Sequence, residues 1–195
     1  GRGQIEYLAN FARPNLGVVT NVGITHLELL GTKEAIFETK AELIQSLPSD
    51  GIAVLNGDGP LVAKMAGYFS GKSFFYSFGG HNAVQGIEPA LWVKERFHRE
   101  SGEEVLVESV WGEFRFTLPL VGRHNIANAL AASIIGLILD LSPQEIAEGL
   151  QRVSMMDNRL RRLEVDGITI LDDTYNASPA SVQAALEVLH KLKNQ

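Results

Sequence analysis

"GTKEAIFETKAELIQSLP" (residues 31–48) is an amphipathic helix written between two strands, and it decides the architecture of everything around it. Thr32 can cap its start and Pro48 can stop it. At about 100° per residue, Ile36, Phe37, Leu43, Ile44 and Leu47 gather on one face. Before it, "LGVVTNVG" (16–23) is a short, β-branched apolar run closed by Asn and Gly; after it, "GIAVLNGDG" (51–59) repeats the pattern. Short runs apolar throughout are strands covered on both faces, as parallel sheets demand. A helix predicted over 60–69 and a strand over 73–79 continue the alternation, so the first third is an α/β unit with a mostly parallel sheet flanked by helices.

One residue on that helix does not fit. Lys40 falls inside the apolar arc, in step with Phe37, Ile44 and Leu47. A lysine stem can lie along apolar surface while its ammonium reaches water. Alternatively, Lys40 carries chemistry. Protonated, it is no metal ligand; carbamylated by carbon dioxide, it would become an anion with two oxygens for a hard cation.

Outward from this unit the pattern changes. "VQGIEPALWVKERF" (84–97), "EEVLVESVW" (103–111) and "EFRFTLPL" (113–120) read as a small antiparallel meander. Helices are predicted over 125–140 and over 142–153, the second with Ser142 as N-cap and Pro143 at its first position. Residues 154–162 read as a linker, "LEVDGITILDD" (163–173) as a strand pair, and 178–192 as a helix opened by Ser178-Pro179. The closing segment thus starts a second α/β unit that cannot bury its own sheet face, and the chain reads as a piece of something longer.

Bulk composition excludes several classes. The 195 residues are 45% hydrophobic and 21% charged, as in an ordinary globular protein. A net charge of −6 offers no basic stripe for nucleic acid. The apolar run at 128–139 is too short to cross a bilayer. Zero cysteines leave neither disulfides nor thiolate metal sites.

Four stretches carry candidate chemistry. "AGYFSGKS" (66–73) is a false phosphate loop, because such a loop needs a strand before and a helix after, and here the order is reversed. "TNVGITH" (20–26) follows a strand's C-terminal end, where open α/β sheets place ligands; His26 there can ligate a metal or simply close a loop. In "GRHNIANALAA" (122–132), Asn125 and Asn128 stand three apart at a helix start. Their amides can read a purine edge, or Asn125 can merely cap the helix. "LDDTYNASP" (171–179) ends a strand in two carboxylates, either a ligand site or an Asx turn.

Taken in order, "TNVGITHLELLGTKEAIFETKAEL", "GRHNIANALAA", "NRLRRLE" and "LDDTYNASPASVQAAL" resemble the Mur ligase family, and the last is most similar to the branch that adds D-alanyl-D-alanine. The resemblance covers nearly the whole chain. It implies a P-loop ATPase-like central domain at 1–156, lacking its phosphate-loop part, followed by the beginning of a Rossmann-like C-terminal domain at 157–195. The activity implied is ATP-dependent amide-bond formation in peptidoglycan precursor synthesis, through an acyl phosphate, with ATP and Mg2+ as cofactors and UDP-MurNAc-tripeptide and D-Ala-D-Ala as substrates.

Carried onto these residues, the likeness implies that His26 ligates magnesium and that Lys40 is carbamylated and supports the same metal. Asn125 and Asn128 would face the adenine. Arg159 and Asp173 would reach phosphate and ribose as the C-terminal domain closes, with Tyr175 and Asn176 beside the nucleotide. It also implies a cytoplasmic monomer. The phosphate loop and the acidic metal ligand of the family would lie upstream of Gly1, so the 195 residues alone are expected to be inactive. Two other readings stand beside it: another ligase of the superfamily, amino-acid-adding or folylpolyglutamate synthase-like, and a noncatalytic nucleotide-binding scaffold.

Overall fold

The computed structural model describes residues 1–23, 31–81, 88–99, 102–154, 161–175 and 179–193. Helix α1 (Gln4–Ala12) leads into β1 (Leu16–Val19); α2 (Lys33–Gln45), β2 (Ile52–Asn56), α3 (Pro60–Lys64) and β3 (Lys72–Ser77) follow. Then come β4 (Leu91–Arg99), β5 (Gly102–Ser109), β6 (Gly112–Leu118), α4 (Arg123–Ile138) and α5 (Pro143–Gln151). The strand pair β7 (Arg161–Val165) and β8 (Ile168–Asp172) and helix α6 (Pro179–Lys193) close the chain.

Six strands form one sheet in the order β1-β2-β3-β4-β5-β6. The first four run parallel and the last two pairings are antiparallel. The predicted meander is therefore present, but it continues the parallel sheet edge to edge instead of standing apart. Its attachment is narrow, with Tyr76 opposite Leu91 and Ser77 opposite Trp92. β4 carries a bulge between Val93 and Glu95. At the far end of the meander, Gly102 (φ 135°) approaches the backbone so closely that a Cβ there would lie 2.1 Å from the Leu118 carbonyl oxygen, a position open to glycine alone.

Successive side chains of a strand point to opposite faces, and this splits the core in two. Ala53, Leu55 and Phe75 pack with Phe37, Ala41, Ile44 and Leu47 of the α2 segment and with Val62, Ala63 and Met65. Val54 and Tyr76 face the other way, into a cluster with Val105, Val107, Phe114 and Phe116 of the meander and Ile126, Leu130 and Ile134 of α4. The apolar arc read for α2 is buried as expected, with Leu43 only partly so.

Local signals account for the ends. The Thr32 hydroxyl accepts from the Ala35 amide at 3.1 Å, capping α2. Ser142 and Glu145 form a reciprocal capping box with Pro143 at the first position of α5. Ser142→Ala is expected to lower stability by about 1 kcal/mol, read as a shift in urea midpoint at unchanged slope. Asp166 and Gly167 both have positive φ in the β7–β8 turn, the hairpin geometry that Asp-Gly favours.

Three expectations are corrected. The helix over 60–69 is a short α-helix that tightens into a 3-10 turn at Met65–Tyr68, since Gly67 weakens its second half. Arg161 and Arg162, read as linker, belong to β7, where cross-strand pairing with Asp172 and Leu171 extends the hairpin beyond its apolar part. Helix α4 starts at Arg123 with Gly122 (φ 116°) at its N-cap, so Asn125 is not the cap.

Candidate functional site

The C-terminal ends of β1, β2 and β3 and the N-terminus of α4 enclose a cleft of about 380 Å³. Its rim and floor are Thr20 and Asn21 after β1, Asn56, Asp58 and Gly59 at the end of β2, Tyr76 of β3, and Arg123, His124, Ala127 and Asn128 of α4. This is the edge of an open parallel sheet at which ligands bind. A helix N-terminus pointing at it adds unpaired N–H groups and a partial positive charge.

Polar groups at the strand ends are tied to one another. The Asn56 side-chain amide donates to the Thr20 carbonyl at 2.9 Å, and its oxygen accepts from the Asp58 N–H at 2.9 Å. The Asp58 carboxylate accepts from the Ser77 hydroxyl at 2.7 Å and from the Phe78 and Gly79 amides at 2.8 and 3.2 Å. Arg123 reaches the same carboxylate at 3.6 Å and lies over the Phe78 ring, 4.6 Å from its centre. Asp58 thereby pins the end of β2 to the end of β3 and both to the start of α4.

Lys40 projects from α2 toward the same strand ends. Its ammonium donates to the Asn21 carbonyl at 2.7 Å, and Asn21 lines the cleft. Desolvation of the half-buried side chain lowers its pKa, favouring the neutral amine. His124 is likewise lowered by desolvation, against an opposing pull from the negative charge of Asp173. Asp173, just after β8, is thus within electrostatic reach of the start of α4.

The predicted amide pair divides. Asn128 lines the cleft, exposed, whereas the Asn125 side chain donates back to the Val121 carbonyl at 3.0 Å and does not line it. Tyr175 is 60% exposed and follows β8. His26, Arg159 and Asn176 lie outside the described residues. Sequence reading missed Asp58, Tyr76, Arg123 and His124. His124 and Asn128, four apart, share a helix face, and Asp58 closes a strand just as Asp172-Asp173 does, so both were within reach of the same rules. Tyr76 was hidden inside an apolar strand. Among the described residues no three His, Asp or Glu side chains converge as a metal site, and no helix is long and apolar enough to cross a membrane.

Comparison with known proteins follows this geometry closely. Residues 1–136 match the model of the Mur ligase middle domain. The UDP-N-acetylmuramoyl-tripeptide–D-alanyl-D-alanine ligase of Bacillus subtilis is 33% identical over 193 residues, 98% of this chain and 40% of the relative. Its counterpart in Synechocystis is 35% identical over 191 residues, 97% of this chain and 38% of that protein. Among solved structures, MurF from Acinetobacter baumannii superposes with a TM-score of 0.85 at 25% identity, covering 96% of this chain and 40% of that one. MurF ligase from Thermotoga maritima, solved in complex with ADP, gives 0.80 at 28% identity over 97% of this chain and 42% of its own. The chain thus spans about two fifths of the relatives it matches. With the middle-domain model matched over most of its length and the same sheet beneath it, the chain belongs to the Mur ligase family.

Proposed function

We propose that the chain is the central part, 1–156, and the opening of the C-terminal domain, 157–195, of a cytoplasmic, monomeric ATP-dependent ligase that adds D-alanyl-D-alanine to UDP-N-acetylmuramoyl-tripeptide. The observation that carries this reading is the cleft at the strand ends, with Asn128 of α4 on one side and the Lys40 ammonium hydrogen-bonded to Asn21 on another. The names borne by relatives at 33 and 35% identity support the substrates, and an ADP-bound relative of the same fold supports the nucleotide.

In the reaction proposed, an oxygen of the substrate carboxylate attacks the γ-phosphorus of ATP and ADP leaves. The dipeptide amine then attacks the acyl carbon, loses a proton and expels phosphate, leaving an amide. Asn128 would hold the base at the α4 start. Asp58 and Arg123 keep that helix and the ends of β2 and β3 in one rigid frame, which is where orientation is gained. Asp173, whose charge already reaches His124, would close on the ribose from the C-terminal segment. Arg159, Tyr175 and Asn176 would join it there.

Lys40 would act as a carbamate: its neutral amine adds to carbon dioxide and loses one proton, leaving an anion with two oxygens. Those hard oxygens, together with the imidazole of His26, are the donors this chain would offer Mg2+. When bound, the ion would neutralise charge developing on the transferred phosphoryl group. This assignment rests on the placement of Lys40 at the cleft, where Phe37 and Ile44 on either side of it are core residues.

The test is ligation by the full-length protein, followed as ADP release that requires both UDP-N-acetylmuramoyl-tripeptide and D-alanyl-D-alanine. Turnover with a single amino acid in place of the dipeptide, and none with D-alanyl-D-alanine, would reassign it to another branch of the family. ATP binding without ligation of any amine would make it a scaffold.

A further inference from the structure

Among the described residues Glu103 is the one charged side chain that is wholly buried, and it lies outside the cleft. It stands near the start of β5 and meets Arg96 of β4 through both carboxylate oxygens, at 2.8 and 3.0 Å. Stability does not account for such a pair, since apolar side chains of similar size often serve a fold as well or better. A buried pair is best attested where it holds one arrangement against others.

The surroundings of Glu103 show what it holds. In the β5–β6 ladder it pairs with Leu118, the last residue of β6. Four residues further on, the Gly122 N–H donates to Glu103 Oε1 at 3.4 Å. Gly122 is the N-cap of α4 and has no side chain with which to cap it. Its carbonyl accepts from the Asn125 and Ile126 amides at 3.1 and 3.2 Å. The residue that sets the direction of α4 is thus gripped by the helix on one side and by Glu103 on the other. Arg96 makes a second link, its guanidinium 5.9 Å from the centre of the Phe78 ring that Arg123 covers at 4.6 Å. Movement at Gly122 is passed on at once, because a Cβ there would lie 2.9 Å from the His124 ring.

We infer that Glu103, held by Arg96, is a positioning residue for the cleft: it fixes Gly122 and, through it, the angle at which His124 and Asn128 meet the nucleotide. It touches no ligand itself. The inference rests on the nucleotide reading above. A carboxylate suits the task because it only accepts, and its charge strengthens the bond from the Gly122 N–H. A leucine in its place would take that acceptor away and leave the turn into α4 free to settle elsewhere, and small misplacements of positioning groups are costly.

The experiment uses the full-length protein. Ligation kinetics with ATP and D-alanyl-D-alanine varied separately, and urea unfolding, are measured on wild type, Glu103→Gln, the double variant Arg96→Met with Glu103→Leu, and Asn128→Ala. The two readouts are expected to cross. Glu103→Gln turns an amide toward Arg96 but keeps a carbonyl oxygen for Gly122, so its urea midpoint falls while its KM for ATP stays near wild type. The double variant regains most of the midpoint, yet its KM for ATP rises about three- to tenfold, with KM for the dipeptide unchanged. Asn128→Ala reports the site itself and is expected to raise KM for ATP. A KM for ATP as high in Glu103→Gln as in the double variant would overturn the inference, and so would an equal rise for ATP and dipeptide. An unchanged KM in the double variant beside a raised one in Asn128→Ala would overturn it too, leaving the nucleotide reading in place. If Asn128→Ala leaves KM for ATP unaltered, the nucleotide reading falls and takes the inference with it.

Discussion

Lys40→Ala in the full-length protein is expected to lower kcat for ligation by about a thousandfold, the scale seen when a preorganised group facing developing charge is removed. Lys40→Arg is expected to do the same, because a guanidinium stays protonated and forms no carbamate. Folding should register the change only weakly. The side chain is half-buried and makes one hydrogen bond, to the Asn21 carbonyl, so the stability loss is about 1 kcal/mol. Added bicarbonate is expected to raise wild-type turnover and to leave both variants flat. Near-normal turnover by Lys40→Arg would show instead that the ammonium merely reaches back to backbone from an apolar face, and the carbamate assignment would be lost while the family stands.

Arg96→Met is expected to cost about 3 kcal/mol of stability, the largest effect among changes outside the cleft. The Glu103 carboxylate is fully buried, and Arg96 meets it twice, Nε at 3.0 Å and Nη2 at 2.8 Å. Its other contacts are longer: the Gly122 N–H at 3.4 Å and His98 at 3.7 Å. Without Arg96 the charge stays buried and nearly unpaired. The opposite deletion differs, because the Arg96 side chain is 31% exposed and can turn to water. Glu103→Gln is therefore expected to cost about half as much. The double change Arg96→Met with Glu103→Leu is expected to recover most of the loss, as apolar replacement of a buried pair often does. Urea unfolding of the three variants decides it; equal costs for the two single changes would show that the stranded carboxylate is not the source.

How far the sequence alone reaches follows from what kind of signal each feature leaves. The strand–helix–strand unit around 31–48 was legible because hydrophobic period and caps agree there, down to Thr32. The position of Lys40 was legible for the same reason. Its partner was not, since Asn21 receives it through a backbone carbonyl that every residue carries. The meander was readable as antiparallel, yet its fusion to β3 depends on two residue pairs after a long connection, and no local pattern encodes such a register. Asn125 was misplaced because asparagine is the better cap by propensity. Gly122 takes that place, its left-handed backbone setting the entry to α4 two residues before Asn125, and the Asn125 amide folds back on Val121. Tyr76 could not be found at all, because within "SFFYSFG" a tyrosine and a phenylalanine read alike until the hydroxyl's surroundings are known.

The narrow junction between β3 and β4 bears on how this region can change over time. Two pairings alone would let the meander behave as an appendage, free to lengthen or be exchanged. But Val105, Val107, Phe114 and Phe116 share one apolar cluster with Val54, Tyr76 and the underside of α4, and Glu103 holds the Gly122 amide at the entrance of that helix. Any substitution that reshapes the meander's inner face is thus felt at His124 and Asn128, one layer away. The meander is in effect the bedding on which α4 rests, and it can drift only as fast as that helix tolerates.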